Sequence, residues 1–196
     1  YITINISSPN TSGLRDFHDE DALKKLLTKI NEVREKSNFN KSFLLKVSPD
    51  LDSSQIPTMV KLILEYKIDG VILTNTSNKN RENLIDPNSK ENGGLSGKPI
   101  RDLSTEFVKK FYQNLNGKIP IIGVGGIDSG ESAFEKIAAG ASAVQLYTGL
   151  IYKGPNIVKN IKKDLIKILN NKGFKNINEA VGSVSYTHLT LPTTVS

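Results

Sequence analysis

The sequence contains no cysteine and only two histidines, His18 and His188. Without cysteine there are no disulfides, no thiolate metal ligands and no cysteine nucleophile. Two histidines are too few for a histidine-based metal site. No run of about 18 apolar residues is present, so no segment reads as a membrane span. No signal peptide is visible either, because no basic start leads into an apolar stretch and small residues. The chain opens at Tyr1, inside what reads as a strand, with no leader. There is also no block of Lys and Arg interleaved with aromatics. The net charge of +6 comes from 26 Lys+Arg against 20 Asp+Glu, with lysine scattered along helix faces. That pattern reads as a solvated basic surface, and no nucleic-acid partner is expected. The hydrophobic fraction of 37% is high enough for a packed domain and argues against disorder.

What is present alternates between two hydrophobic periods. Tyr1–Ile6 alternates like a strand and ends in SSPNTSG. Leu23, Leu26, Leu27, Ile30 and Val33 recur at helical spacing, which predicts a helix from about Asp19 to Lys36 with those residues inward. Phe43–Val47 is a short apolar run stopped by Ser48-Pro49-Asp50. A second helix carries Ile56, Val60, Ile63 and Leu64, started by Ser53 or Ser54, with Pro57 tolerated in its first turn. Val71–Leu73 reads as a buried strand followed by Thr74-Asn75-Thr76. The polar stretch Ser77–Arg101 is too long for a simple connection, and loops of that length are usually functional or mobile. Asp102–Leu115 is helical, with Phe107, Val108, Phe111 and Leu115 inward.

Ile119–Val124 is the next strand and runs into Gly125-Gly126. Asp128 and Glu131 have capping-box spacing for a helix ending near Ala139. Ala143–Leu146 is a strand ending at Tyr147-Thr148-Gly149. Asn156–Asn171 is the last long helix, with Val158, Ile161, Leu165, Ile168 and Leu169 inward and Gly173 as its C′ residue. A short helix around Asn178–Val181 follows. Strands that strictly alternate with helices form a parallel sheet with crossover connections.

Two α/β architectures accept this pattern, an open doubly wound sheet and a (β/α)8 TIM barrel. A complete barrel has eight strands and about 250 residues, so this chain would supply its C-terminal five βα units. Polar and glycine-rich motifs end every strand, as barrel sites require. The last two strand ends occupy the positions where barrels commonly bind phosphate. An open sheet gathers its ligand motifs at one switch point instead. The barrel is therefore the expected fold. Residues 1–182 are its expected extent. Residues 183–196 hold no Lys or Glu and carry four threonines, and they resemble translated adapter sequence more than the domain before them. They are read as a non-native tail, and nothing functional is taken from His188.

Several side chains could carry chemistry. Asn5, Ser7, Ser8, Asn10 and Thr11 crowd the first strand end. They can make Asx and Ser turns, or bind a planar polar ligand while a serine exchanges a proton with it. A serine hydroxyl works as a base only in a closed, dry site with a route for its proton. Lys46 interrupts the apolar FLLKV, and an unpaired buried ammonium is costly. It needs a charged partner or a ligand, either as a counter-charge to a cofactor or as a Schiff-base former. Thr74-Asn75-Thr76 again sets short hydrogen-bonding side chains at a strand end. Gly93–Lys98 is either a hinge or a surface that a ligand approaches closely. Gly123, Gly125 and Gly126 form a tight turn or expose backbone N–H groups to a phosphate. Their spacing is not GxGxxG, so the dinucleotide fingerprint is absent.

Taken together and in order, NISSPNTSGLR, LLKVSPDL, GVILTNT, GGLSGKPIRDLST, PIIGVGGIDSG and AGASAVQLYTGLIYKGP closely resemble the class 2 dihydroorotate dehydrogenases, from Tyr1 to about Gly182. The resemblance implies an FMN-containing barrel that oxidises (S)-dihydroorotate to orotate in pyrimidine biosynthesis and passes electrons to a quinone. It implies Ser8 as the catalytic base, where the cytosolic class 1 enzymes use cysteine. Asn5 would touch both FMN and substrate, and Asn10, Asn75 and Thr76 would bind substrate. Lys46 would stand beside the flavin, where a cation stabilises the reduced ring. Thr74 and Gly97 would make further flavin contacts, and Gly126, Tyr147 and Thr148 would hold the phosphate. No metal is implied. The resemblance also implies peripheral membrane association through an N-terminal region not in this sequence. The membrane would be the bacterial inner membrane at its cytoplasmic face, or the mitochondrial inner membrane. Ser77 and Ser48 stand where many members have threonine and alanine. The residues alone leave two alternatives: a barrel aldolase or isomerase on a phosphorylated metabolite, with Lys46 as Schiff base, or an inactive fragment.

Overall fold

In the computed structural model, residues 1–37, 40–79, 81–82 and 84–186 are described. Most of the tail, from Thr187 onward, lies outside them. Five strands form: β1 (Ile2–Asn5), β2 (Phe43–Val47), β3 (Gly70–Leu73), β4 (Ile121–Val124) and β5 (Ala143–Gln145). All neighbours are parallel, and their order in the sheet is their order in the chain. A doubly wound sheet reverses its order at a switch point; this one never does.

The helices between the strands are α1 (Glu20–Lys36), α2 (Ile56–Glu65), α3 (Arg101–Leu115) and α4 (Gly130–Ala138). After β5 come α5 (Thr148–Lys153), α6 (Asn156–Asn171), α7 (Ile177–Ala180) and α8 (Ser183–Tyr186). The helices pack on one face of the sheet. Leu45, Val47, Val71, Leu73 and Ile121 join Leu23, Leu27, Met59, Ile63, Val108 and Phe111 in the main core. Side chains alternate across a strand, so the opposite face presents Thr3, Asn5, Lys46, Ile72, Ile122 and Gln145. That second face is concave. Gln145 Nε2 on β5 donates to Tyr1 Oη at 2.9 Å, although first and fifth strands of a flat sheet lie about 19 Å apart at ordinary strand spacing. Serial order, helices on one side and this curvature together make five consecutive units of a (β/α)8 barrel. Among the described residues β1 pairs only with β2 and β5 only with β4, leaving both edges open.

Most local expectations match, and the differences have physical reasons. Asp19 caps α1 by accepting from Ala22 N–H, and Leu23 and Leu27 are buried. Val33 is not inward but 58% exposed. In that last turn Arg34 takes the packing position, lying over the Phe43 ring and pairing with Asp69. In α6 Ile161 is buried and Leu165 packs against the same cluster, as expected, whereas Val158 is exposed and Ile157 takes its place at the start of the stripe. The start of α2 is preceded by a 3-10 turn, Ser53–Gln55, capped by Asp52 rather than by a serine. The capping box of α4 is not Asp128 with Glu131. Ser129 and Ser132 cap each other's backbone, which leaves Asp128 free for other partners. Tyr147-Thr148-Gly149, expected as a strand end, opens the short helix α5. The long loop after β3 is tied at its base, where Ser77 and Leu95 form an antiparallel bridge.

Candidate active site at the C-terminal edge of the sheet

The ends of β1, β2 and β3 bring the candidate substrate residues together. Asn5 closes β1, and its Oδ1 accepts from Ser7 N–H at 3.1 Å and Ser7 Oγ at 2.6 Å. Ser7 is fully buried and accepts in turn from Asn75 Nδ2 at 3.0 Å. Asn75 Oδ1 accepts from Thr76 N–H at 2.8 Å. Asn5, Ser7, Asn75 and Thr76 therefore form one hydrogen-bonded chain across two loops. Ser8, half-buried beside it, accepts at Oγ from Asn10 N–H at 3.2 Å, with Thr11 Oγ1 at 3.4 Å. Asn10 itself is exposed. Gly94 lets the long loop cross Thr76 closely: a Cβ there would sit 1.9 Å from Thr76 Oγ1.

Lys46 pairs in register with Asn5, so the two share the concave face. It is half-buried, and burial lowers its pKa from the ordinary lysine value. No carboxylate or other side-chain partner meets its amine among the described residues. A structural ion pair, one of the two readings open to this lysine, is not what the fold provides.

The groups that hold these loops in place carry no signal in the local sequence. Arg15 reaches Asp50 at 3.0 Å and donates to Thr76 O at 3.4 Å. Asp50 also accepts from Ser77 Oγ and, at 2.9 Å, from Asn78 N–H. Behind them, burial holds the His18 imidazole below its ordinary pKa, with the nearby Arg15 guanidinium adding to the effect. Only the motif strings NTSGLR and KVSPDL contain Arg15 and Asp50. Nothing local marks a residue whose partner is 35 positions away in another loop.

The ends of β4 and β5 are built differently. Thr74, buried, joins the halves, since its N–H donates to Val124 O at 3.0 Å and its Oγ1 to Asn75 O at 3.0 Å. Gly126 has φ +72, and a Cβ there would fall 2.4 Å from Arg101 Cβ. The Arg101 side chain crosses this turn, donating from Nε to Gly126 O at 2.8 Å and pairing with Asp128. Lys153 donates to Asp128 O at 2.9 Å. Gly97 sits against Thr148, whose Oγ1 donates to Ser96 Oγ at 2.9 Å. Tyr147 precedes α5 without capping it by its side chain, and the residue is 76% exposed.

Beneath this turn lies a residue with no sequence signal, Lys136. Its amine is fully buried and donates to Thr105 Oγ1 at 2.7 Å, Ser104 Oγ at 3.0 Å and Arg101 O at 3.3 Å. Burial, with the Arg101 guanidinium adding to it, pushes its pKa down to about 7. Among the described residues no cluster of His, Asp and Glu could hold a metal ion, and no helix is long and apolar enough to cross a membrane.

Comparison with known proteins places this geometry in a family. Residues 1–169 match the family described as dihydroorotate dehydrogenase. Dihydroorotate dehydrogenase (quinone) from Trichodesmium erythraeum is 47% identical over 190 residues, covering 93% of this chain and 49% of that protein. The mitochondrial dihydroorotate dehydrogenase (quinone) of Mus musculus is 43% identical, covering 93% and 47%. The crystal structure of DHODH in complex with ferulenol from Eimeria tenella is 36% identical with a TM-score of 0.87, covering 94% of this chain and 54% of that one. The chain thus spans about half the length of the curated relatives it matches. It belongs to the dihydroorotate dehydrogenase family, and those relatives are of the quinone-dependent kind.

Proposed function

We propose that the whole protein oxidises (S)-dihydroorotate to orotate with a quinone as electron acceptor, and that this chain supplies the base, the flavin-facing lysine and the anion-binding turns. One observation carries the reading. The Asn5–Ser7–Asn75–Thr76 chain, Ser8 and the unpaired Lys46 converge on one strand-end edge, in a chain so similar to quinone-dependent relatives. Residues 1–182 are taken as the barrel part, and residues 183–196 as a non-native tail.

The residues fit FMN by the chemistry of their donors. Lys46 offers a half-buried ammonium with no protein partner, suited to a polar ring that gains negative charge. Gly126 and Thr148, with Tyr147, offer backbone and hydroxyl groups to a phosphate, and Gly97 and Thr74, the latter between the two ends, offer further flavin contacts. When bound, FMN supplies the acceptor for the hydride that leaves substrate C6.

The remaining steps belong to this chain's own side chains. Asn5, Asn10, Asn75 and Thr76 each carry a donor and an acceptor, matching the alternating N–H and C=O groups of the pyrimidine ring and its carboxylate. They orient the ring so that C5 faces Ser8. Ser8 Oγ takes the C5 proton as its own hydroxyl proton passes to the Thr11 hydroxyl, 3.4 Å away, which releases its proton to solvent. Lys46 holds positive charge where electron density accumulates. A quinone resides in membranes, so the whole protein is proposed to sit peripherally on one, through sequence outside these five units.

The test is single-turnover reduction of the flavin by dihydroorotate in the full-length protein. Ser8→Ala is expected to slow it by about 10² to 10⁴, the usual range for a general base, with flavin content near normal. An unchanged rate would move the base to another group. A wild-type protein whose bound flavin dihydroorotate does not bleach would remove the activity itself.

A further inference from the structure

We propose that Arg15 and Asp50 are positioning residues that set the three substrate-side loops relative to one another. The idea rests on the reading above for its ligand, and on geometry for everything else. The loop after β1 carries Ser8, Asn10 and, further on, Arg15. The loop after β2 carries Asp50, and the loop after β3 carries Asn75, Thr76 and Ser77. One ion pair joins all three. Arg15 binds Asp50 at 3.0 Å and, with its other terminal nitrogen, the carbonyl of Thr76 at 3.4 Å. Asp50 spends one oxygen on Ser77 Oγ and the other on Arg15 and Asn78 N–H, while its carbonyl accepts from Lys79 Nζ at 3.2 Å.

Burial gives the pair its leverage. The Asp50 side chain is 7% exposed and that of Arg15 25%, so solvent screens the interaction poorly and removing one partner strands the other. A pair this costly to desolvate adds little net stability. What it adds is direction: a carboxylate with two forked acceptors and a guanidinium with a planar fork fix angles that apolar contacts leave loose. Neither residue points chemistry at the substrate. Their effect reaches it through Thr76 and through the loop that carries Ser8. The flavin phosphate end is held by separate contacts around Gly126 and Thr148, so it should not feel the loss.

The experiment uses the full-length, flavin-loaded protein, with Asp50→Asn and Arg15→Met, and Arg15→Lys as a milder variant that keeps the charge. Orotate binding is titrated by its perturbation of the flavin absorption spectrum, and flavin affinity is measured separately. Orotate affinity is expected to fall about 10- to 100-fold in the first two variants, the range for losing a hydrogen bond to a charged group. Arg15→Lys should lose less, and flavin affinity should stay within about twofold in all three. A merely structural pair would weaken flavin and orotate together. Orotate affinity at wild-type level in Asp50→Asn and Arg15→Met would overturn the proposal, as would parallel loss of flavin. Amide hydrogen exchange provides an arm without ligand: Arg15→Met should speed exchange at residues 8, 10, 11 and 76–79, and unchanged exchange there would also overturn the proposal. If wild-type protein does not bind orotate, the functional reading falls, and exchange alone decides the clamp.

Discussion

The two ends of the site are held by opposite means. At the proposed substrate end, side chains meet side chains across loops: Asn5 with Ser7, Ser7 with Asn75, Arg15 with Asp50. At the proposed phosphate end the backbone is the proposed working surface, and side chains serve to hold it. Arg101 grips the Gly126 carbonyl, Lys136 grips the first turn of α3 that carries Arg101, and glycines let chains touch. A ligand ring with varied polar groups calls for particular side chains. A phosphate is satisfied by N–H groups that any residue has, so there the fold must guarantee the path of the chain. The substrate end should therefore lose specificity when one side chain changes, and the phosphate end should lose the ligand altogether when the backbone is displaced.

The strongest way to break that contrast is Gly126→Leu. The residue has φ +72, and any Cβ would collide with Arg101, whose Cα lies 2.6 Å from its ideal position. The turn must shift, and with it the contact from Arg101 Nε to the Gly126 carbonyl. The full-length variant is expected to purify folded but colourless, with its flavin lost and its circular dichroism intact. A fully flavin-loaded Gly126→Leu protein would show that the phosphate is held elsewhere.

Lys136 sharpens the contrast through pH. Its pKa stands near 7 in the fold against an ordinary 10.5. Between those values the unfolded chain binds this proton and the folded chain does not, so folding stability rises with pH across that window. Below about pH 7 both states are protonated, and the burial cost is present in full and constant. Lys136→Met removes the group, while Ser104 still donates to Val124 O and Thr105 to Arg101 O. The wild-type advantage over Lys136→Met in thermal midpoint is expected to grow from pH 7 to 10 and to be flat below 7. Parallel curves would mean that burial does not depress the Lys136 amine as described.

How much of this could be read from the sequence follows the same division. β2 and α6 have their expected bounds, Phe43–Val47 and Asn156–Asn171, because apolar period and length agree there. The crowding of Asn5, Ser8, Asn75 and Thr76 at strand ends was visible because residue type and strand position are both local. α5 was not: it is only six residues long, and Gly149 within it lies close against the Ile127 carbonyl, a contact that no local pattern marks. Asp50 read as part of a strand stop, and Lys136 as one more surface lysine on a basic chain. Each gained its partners only when the sheet brought distant segments together. The misplaced α4 cap has a related cause. Asp128 looked like a cap because it precedes a helix, but Arg101, which is 27 residues earlier, claims its carboxylate.

That division gives the smallest effect its use. Ser129 lies three residues from Gly126, and its Oγ accepts from Ser132 N–H at 3.2 Å. If the phosphate turn and the start of α4 were one rigid unit, disturbing the cap would loosen the ligand. The contacts say otherwise. Ser132 Oγ accepts from Asp128 N–H and Ser129 N–H, each at 3.0 Å, and neither bond needs the Ser129 hydroxyl. Asp128 stays placed for Arg101, and Arg101 still holds Gly126. Ser129→Ala should therefore cost about 1 kcal/mol of unfolding free energy, the typical value for a lost N-cap, with flavin affinity unchanged within about twofold. Denaturant unfolding and flavin titration on the full-length protein measure the two separately. A variant that loses flavin in proportion to stability would merge cap and turn into one element, and Arg101 would no longer stand as the independent grip on the phosphate end.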